Sequence, residues 1–126
     1  MALSLPLSHT LARHRFLPVQ ITKSKALLAE PRAGLPDALV QMIDVVRSYL
    51  PLVEINDFES LKGSISKFNP ITLDELASTD GQRKLAEEVK ADIKKLAAAT
   101  KSGEASPIAR VAIKLASDLS LFADSF

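Results

Sequence analysis

The 126-residue chain contains no cysteine and no tryptophan, one tyrosine, and two histidines, His9 and His14, both within its first 36 residues. Without cysteine there are no disulfides, no thiolate zinc sites and no cysteine nucleophile. Residues 37–126 also lack histidine, so the side chain best suited to proton transfer near neutral pH is missing from most of the chain. Only four glycines occur, at 34, 63, 81 and 103, too scattered to write a phosphate-cradling loop or a dinucleotide-binding fingerprint. No run reaches the roughly 18 consecutive apolar residues of a membrane-spanning helix. The most apolar long stretch, 105–123, is interrupted by Arg110, Lys114 and Asp118.

Acid is scarce in one place. Residues 1–36 carry five cations (Arg13, Arg15, Lys23, Lys25, Arg32) against the single anion Glu30, whereas residues 37–126 carry 11 cations against 14 anions. A basic, apolar arm therefore precedes a mildly acidic body, an asymmetry that points to a partner rather than to a reaction. Apolar residues make up 47% of the chain, which excludes a wholly disordered protein, but much of that share is alanine and leucine. Such a core lets helices approach closely while each residue contributes little, because burial scales with apolar area at about 25 cal/mol per Å². Modest stability alone follows, with some apolar surface reserved for a neighbour.

Residues 1–35 read as an extended N-terminal arm and residues 36–126 as a helical domain. Leu3-Ser4-Leu5-Pro6-Leu7 alternates with a period of two, and Phe16 to Thr22 is β-branched and extended in character. Pro6 and Pro18 bar both from the centre of a sheet. Such pieces suit a strap laid along another surface. Ala26-Leu27-Leu28-Ala29 offers a helical turn before Pro31. The arm also has the Arg- and Ser-rich, acid-poor composition of an organellar presequence, in which Arg15-Phe16-Leu17 would suit a processing site, but a mature arm held in place by a contact is the preferred reading. It does not match a secretory signal, because Leu3, Leu5 and Leu7 precede the first arginine.

The body reads as helices throughout. Pro36 and Asp37 open the first, Leu39, Met42, Ile43, Val46, Tyr49 and Leu50 form its stripe, and Pro51 is expected to end it. Asn56 with Glu59, and Thr72 with Glu75, repeat the spacing of a capping box. The first pair precedes the stripe Phe58, Leu61, Ile65 and Phe68, the second a short turn with Leu73 and Leu76. Leu85, Val89, Ile93 and Leu96 define a long helix from about Asp80 to Thr100, closed by Lys101 and Gly103. Ser106-Pro107 opens the last, with Ile108, Val111, Ala112, Leu115, Leu119 and Phe122 inward. The predicted fold is all-α, a small helical bundle of about four helices and one short turn, preceded by the extended arm.

Residues that bear chemistry form no persuasive site. Ser64 and Lys67 have the Ser-x-x-Lys spacing of serine acyl-transfer enzymes, without the further motifs those enzymes need. Glu88 and Asp92 stand one turn apart as possible metal ligands, yet no histidine accompanies them, and Lys84 and Lys95 are near enough to neutralise them on a solvated face. Glu54, Asp57 and Glu59 lack the spacing of a calcium loop. His9 and His14 have no ligand partners. No catalytic, metal or cofactor site is therefore expected.

The expected function is that of a non-enzymatic structural or assembly subunit. Its arm would dock on a neighbouring subunit of a complex or homo-oligomer through Leu3, Leu5, Leu7, Phe16, Val19 and Ile21, with Arg13 and Arg15 meeting acids there. The alternative is a nucleic-acid-associated protein whose arm neutralises phosphates. One aromatic, Phe16, is a thin platform for stacked bases.

Overall fold

A computed structural model describes residues 18–126. Among these residues there are six helices and no strand: α1 (18–29), α2 (Asp37–Glu54), α3 (Phe58–Ser66), α4 (Ile71–Leu76), α5 (Asp80–Ser102) and α6 (Ala105–Asp124). The all-α expectation holds, and the expected number of about four helices is too low. The additional helix, α1, covers residues 18–22, where an extended segment was expected. The reason is that proline fixes a φ common to helix and extended chain, and β-branching lowers the helix propensity of Val19, Ile21 and Thr22 only slightly, so packing decides between the two. Ile21, Ser24 and Leu28 then fall at helical spacing and are the buried positions of the segment. The extended pieces expected over Leu3–Leu7 and at Phe16 lie outside the described residues.

The long antiparallel pair α5–α6 forms the most extensive interface. Helix α2 packs on α6, α3 packs on both α2 and α5, and α4 lies against α5. On α6 the buried face alternates small and large: Ala109, Ala112, Ala116 and Ala123 are interleaved with Ile108, Leu115, Leu119 and Phe122. The alanines let the neighbouring helices approach closely, and the larger side chains fill the space between them. Val89, Ile93 and Leu96 of α5 meet this face, as do Leu39, Val46, Tyr49 and Leu50 in the same continuous core.

Several ends differ from expectation for identifiable reasons. Pro51 lies inside α2, which continues to Glu54. Its ring removes one N–H from the ladder, a loss tolerated so near the terminus, and its carbonyl still accepts from the Ile55 N–H at 3.2 Å. Asn56 is not a helix cap. It takes the left-handed conformation (φ 57°) that closes α2, a role asparagine fills when glycine is absent. The cap of α3 is the next residue, Asp57, whose carboxylate accepts from the Ser60 N–H at 3.3 Å. Thr72 sits inside α4, where the Asn69 side chain accepts from the Ile71 N–H at 3.1 Å. Thr79 and Gln82 form a reciprocal capping box at the start of α5. Ser106 and Pro107 fall within the first turn of α6, which is preceded by Glu104.

Candidate functional site

The most unusual side chain of the protein is Asp92. It lies four residues before Leu96 and three after Val89, so the helical repeat that buries those two also turns its carboxylate inward. Its solvent exposure is 0%. Across the α5–α6 interface Lys114 supplies the only ammonium that reaches it among the described residues. Lys114 Nζ donates to Asp92 Oδ1 at 3.2 Å, to Asp118 Oδ2 at 2.6 Å and to Glu88 Oε2 at 3.4 Å. Three carboxylates from two helices thus converge on one cation.

The second oxygen of Asp92, Oδ2, is buried and has no donor directed at it. A buried carboxylate oxygen without a donor is costly. The cost disappears if Asp92 carries a proton and donates it to Asp118. Burial, reinforced by that hydrogen bond to Asp118 and opposed by Lys114, pushes the Asp92 carboxyl up to about 7. Burial also acts upward on Asp118, but the hydrogen bonds from Asp92 and Lys114 outweigh it and hold Asp118 below the usual aspartate range. The two aspartates titrate as a pair, so one shared proton describes them better than two separate values. Lys114, hydrogen-bonded first to Asp118 and then to Asp92, is raised above the ordinary lysine value.

A second charged cluster closes the N-terminal part of the described chain onto the body. The Arg32 side chain is only 10% exposed. Its Nε donates to Asp124 Oδ1 at 2.9 Å, one terminal nitrogen to Ser120 Oγ at 2.6 Å, and the other to the Leu27 and Glu30 carbonyls at 3.3 and 3.4 Å. The planar fork of the guanidinium therefore ties the end of α1 to the last turns of α6, which a lysine could not do. Lys25 adds an ion pair with Glu54 at the end of α2.

The chain has no match among protein-family models, curated proteins or solved structures.

Leu3, Leu5, Leu7, His9, Arg13, His14, Arg15 and Phe16 lie outside the described residues. Val19 is on α1 and 49% exposed, whereas Ile21 is 2% exposed and belongs to the protein's own core. Ile21 is therefore already packed, which leaves Val19 as the outward apolar residue of the pair. Ser64 and Lys67 do not form a unit: the Ser64 carbonyl accepts from the Tyr49 hydroxyl at 3.3 Å, and Lys67 follows the end of α3 in the open. Glu54 and Asp57 are engaged with Lys25 and the α3 terminus, so with Glu59 they gather around nothing. Among the described residues no three His, Cys, Asp or Glu side chains are placed to hold a metal ion.

The solvated face expected for Glu88 and Asp92 is correct for Glu88 and wrong for Asp92. Their neutralising cation is Lys114, rather than Lys84 or Lys95. The signal for Asp92 was present in the spacing: Leu85, Val89, position 92 and Leu96 repeat at four, three and four, so an aspartate occupies a core register position. The signal for Lys114 was absent, because it stands 22 residues away on a helix whose rotation depends on packing.

Proposed function

We propose that the protein is a non-catalytic structural or assembly subunit whose N-terminal arm docks on a neighbouring subunit of a complex or homo-oligomer. The observation that carries the reading is the way arm cations meet body acids at the root of the arm: Lys25 pairs with Glu54, and Arg32 with Asp124. The same complementarity is available between chains for Arg13 and Arg15, because residues 1–36 are cationic and the rest of the sequence has more anions than cations. Apolar surface supports it as well. Val19, Val40, Val45, Ile55, Ile71, Leu121 and Phe126 are large apolar residues left exposed, in a chain whose arm adds Leu3, Leu5, Leu7 and Phe16. No described helix is long and apolar enough to cross a membrane.

The test is native mass measurement of the full chain beside a chain lacking residues 1–17, which keeps α1 and Arg32. Loss of the oligomer, or of a co-purifying partner, with the helical signal per residue unchanged is the expected result. Added salt should weaken assembly only in part, because ion pairs are screened and leucine burial is not. Identical masses for the two chains, with no partner lost, would remove the reading. If the arm instead confers salt-sensitive binding to DNA or RNA, the nucleic-acid alternative takes its place.

A further inference from the structure

We propose that Asp92, Asp118 and Lys114 form a proton-operated latch between α5 and α6, closed while the two aspartates share one proton and loosened when that proton leaves. The latch belongs to the body alone and stands whether or not the arm docks on a neighbour. Its geometry is a buried carboxylate at the centre of the largest helix–helix interface, with one oxygen on Lys114 and the other without a donor. In the protonated state Asp92 Oδ2 carries no charge, the Asp118 carboxylate is the acceptor for its proton, and Lys114 bridges the two aspartates. In the ionised state three carboxylates (Asp92, Asp118, Glu88) face one ammonium, and Asp92 Oδ2 becomes a buried charge with no donor. Water must then reach it, and the route is a parting of α5 from α6.

The other charges around the joint supply no donor to Asp92 Oδ2. Glu88 adds a negative charge one turn away on α5, and Lys95 acts favourably on Asp118. From α4, Asp74 is engaged with Lys90 of α5 at 2.7 Å. Glu59 and Lys62 of α3, and Lys67 just after it, make no ion pair with α5. From α2, Asp44 pairs with Arg47 and Glu54 with Lys25. Lys114 is thus the only cation donating to Asp92 among the described residues, and Asp118 competes for it at shorter distance.

The position of the proton equilibrium, about 7 for Asp92 against 3.8 for an unperturbed aspartate, sets the sign. The folded state holds a proton that the unfolded chain releases, so the stabilisation is full below the unfolded value and is lost as pH rises through the folded one. The substitution Asp92→Asn imitates the closed state permanently: the amide nitrogen donates to Asp118 and the amide oxygen accepts from Lys114.

Unfolding constants of the full chain and of Asp92→Asn are to be measured by denaturant titration across this range. The wild-type constant relative to the variant is expected to climb about tenfold per pH unit between roughly pH 5 and 6.5 and to level off above about 7.5. Backbone amides of residues 89–96 and 111–118, corrected for the intrinsic pH dependence of exchange, should lose protection over the same interval in the wild type and keep it in Asp92→Asn. Should the variant fail to fold, the Asp92 carboxyl carbon resonance of the wild type decides, with a midpoint near 7 expected. A midpoint at or below the ordinary aspartate value, a flat stability ratio, or amide protection that does not change with Asp92 ionisation overturns the latch.

Discussion

Tyr49 is the only tyrosine of the chain, it is fully buried, and the chain has no tryptophan, so its phenol is an unobstructed reporter of one place in the core. Its hydroxyl donates to the Ser64 carbonyl, joining α2 to α3, and burial pushes its ionisation up to about 12. An alkaline titration of phenolate absorbance is therefore expected to show a midpoint well above the ordinary tyrosine value, collapsing to about 10 when denaturant unfolds the chain. The folded value lies above the unfolded one, so the associated stability is present below about 10 and declines as pH rises through about 12. Tyr49→Phe removes the helix-to-helix hydrogen bond and leaves the Ser64 carbonyl short of a donor, a loss of about 1 kcal/mol by denaturant unfolding. A phenol that titrates normally in the folded protein would show that the ring is not enclosed between α2 and α3.

At the scale of the element, two glycines with opposite requirements test the helix assignments. Gly63 is in the middle of α3, and a Cβ there meets nothing within 4 Å. Gly63→Ala should stabilise the protein by roughly 0.5–1 kcal/mol, because it removes backbone freedom from the unfolded chain without adding a contact. Gly103 also has open space, but its φ of 71° belongs to the left-handed turn that ends α5. Gly103→Ala should destabilise by about 1 kcal/mol despite identical chemistry. Equal effects of the two substitutions on the thermal midpoint would contradict one of the two assignments. The second of these positions was legible in the sequence, as was the inward stripe of α5, because a helix stop and a 3.6-residue repeat are local signals. Of helix α1 only the last turn, Ala26 to Ala29, was legible, and residues 18–22 were not. A proline followed by β-branched residues is compatible with both an extended segment and a helix, and what decides between them is the core that receives Ile21 and Leu28. Pro51 misled in the same way, since its position within the last turn of α2 is fixed by where Asn56 can turn the chain.

For the whole molecule, the N-terminal part of the described chain is held by few residues, and Arg32 is the one that joins its end to the last helix. Ile21 and Leu28 place α1 on the core, but among the described residues only three positions of α1 (these two and Ser24) are buried, against nine on α6. Such an element sits at the low end of local stability and opens without the rest of the protein. Arg32→Ala removes the bonds to Asp124 and Ser120. Asp124 returns to water at little cost, whereas the Ser120 hydroxyl, 3% exposed, loses its donor inside the protein. A local cost of about 2 kcal/mol follows, equivalent to roughly a thirtyfold rise in amide exchange along residues 18–29. Residues 89–96 and 111–118 should exchange as before, because α5 and α6 pack without α1 between them. Arg32→Lys should recover little of the loss, since an ammonium cannot span both side chains and the Leu27 and Glu30 carbonyls in one plane. The measurement is hydrogen exchange resolved by segment, together with limited proteolysis between residues 29 and 37. If Arg32→Ala lowered protection uniformly across α1, α5 and α6, α1 would be part of the cooperative core rather than a clamped root for the residues that precede it.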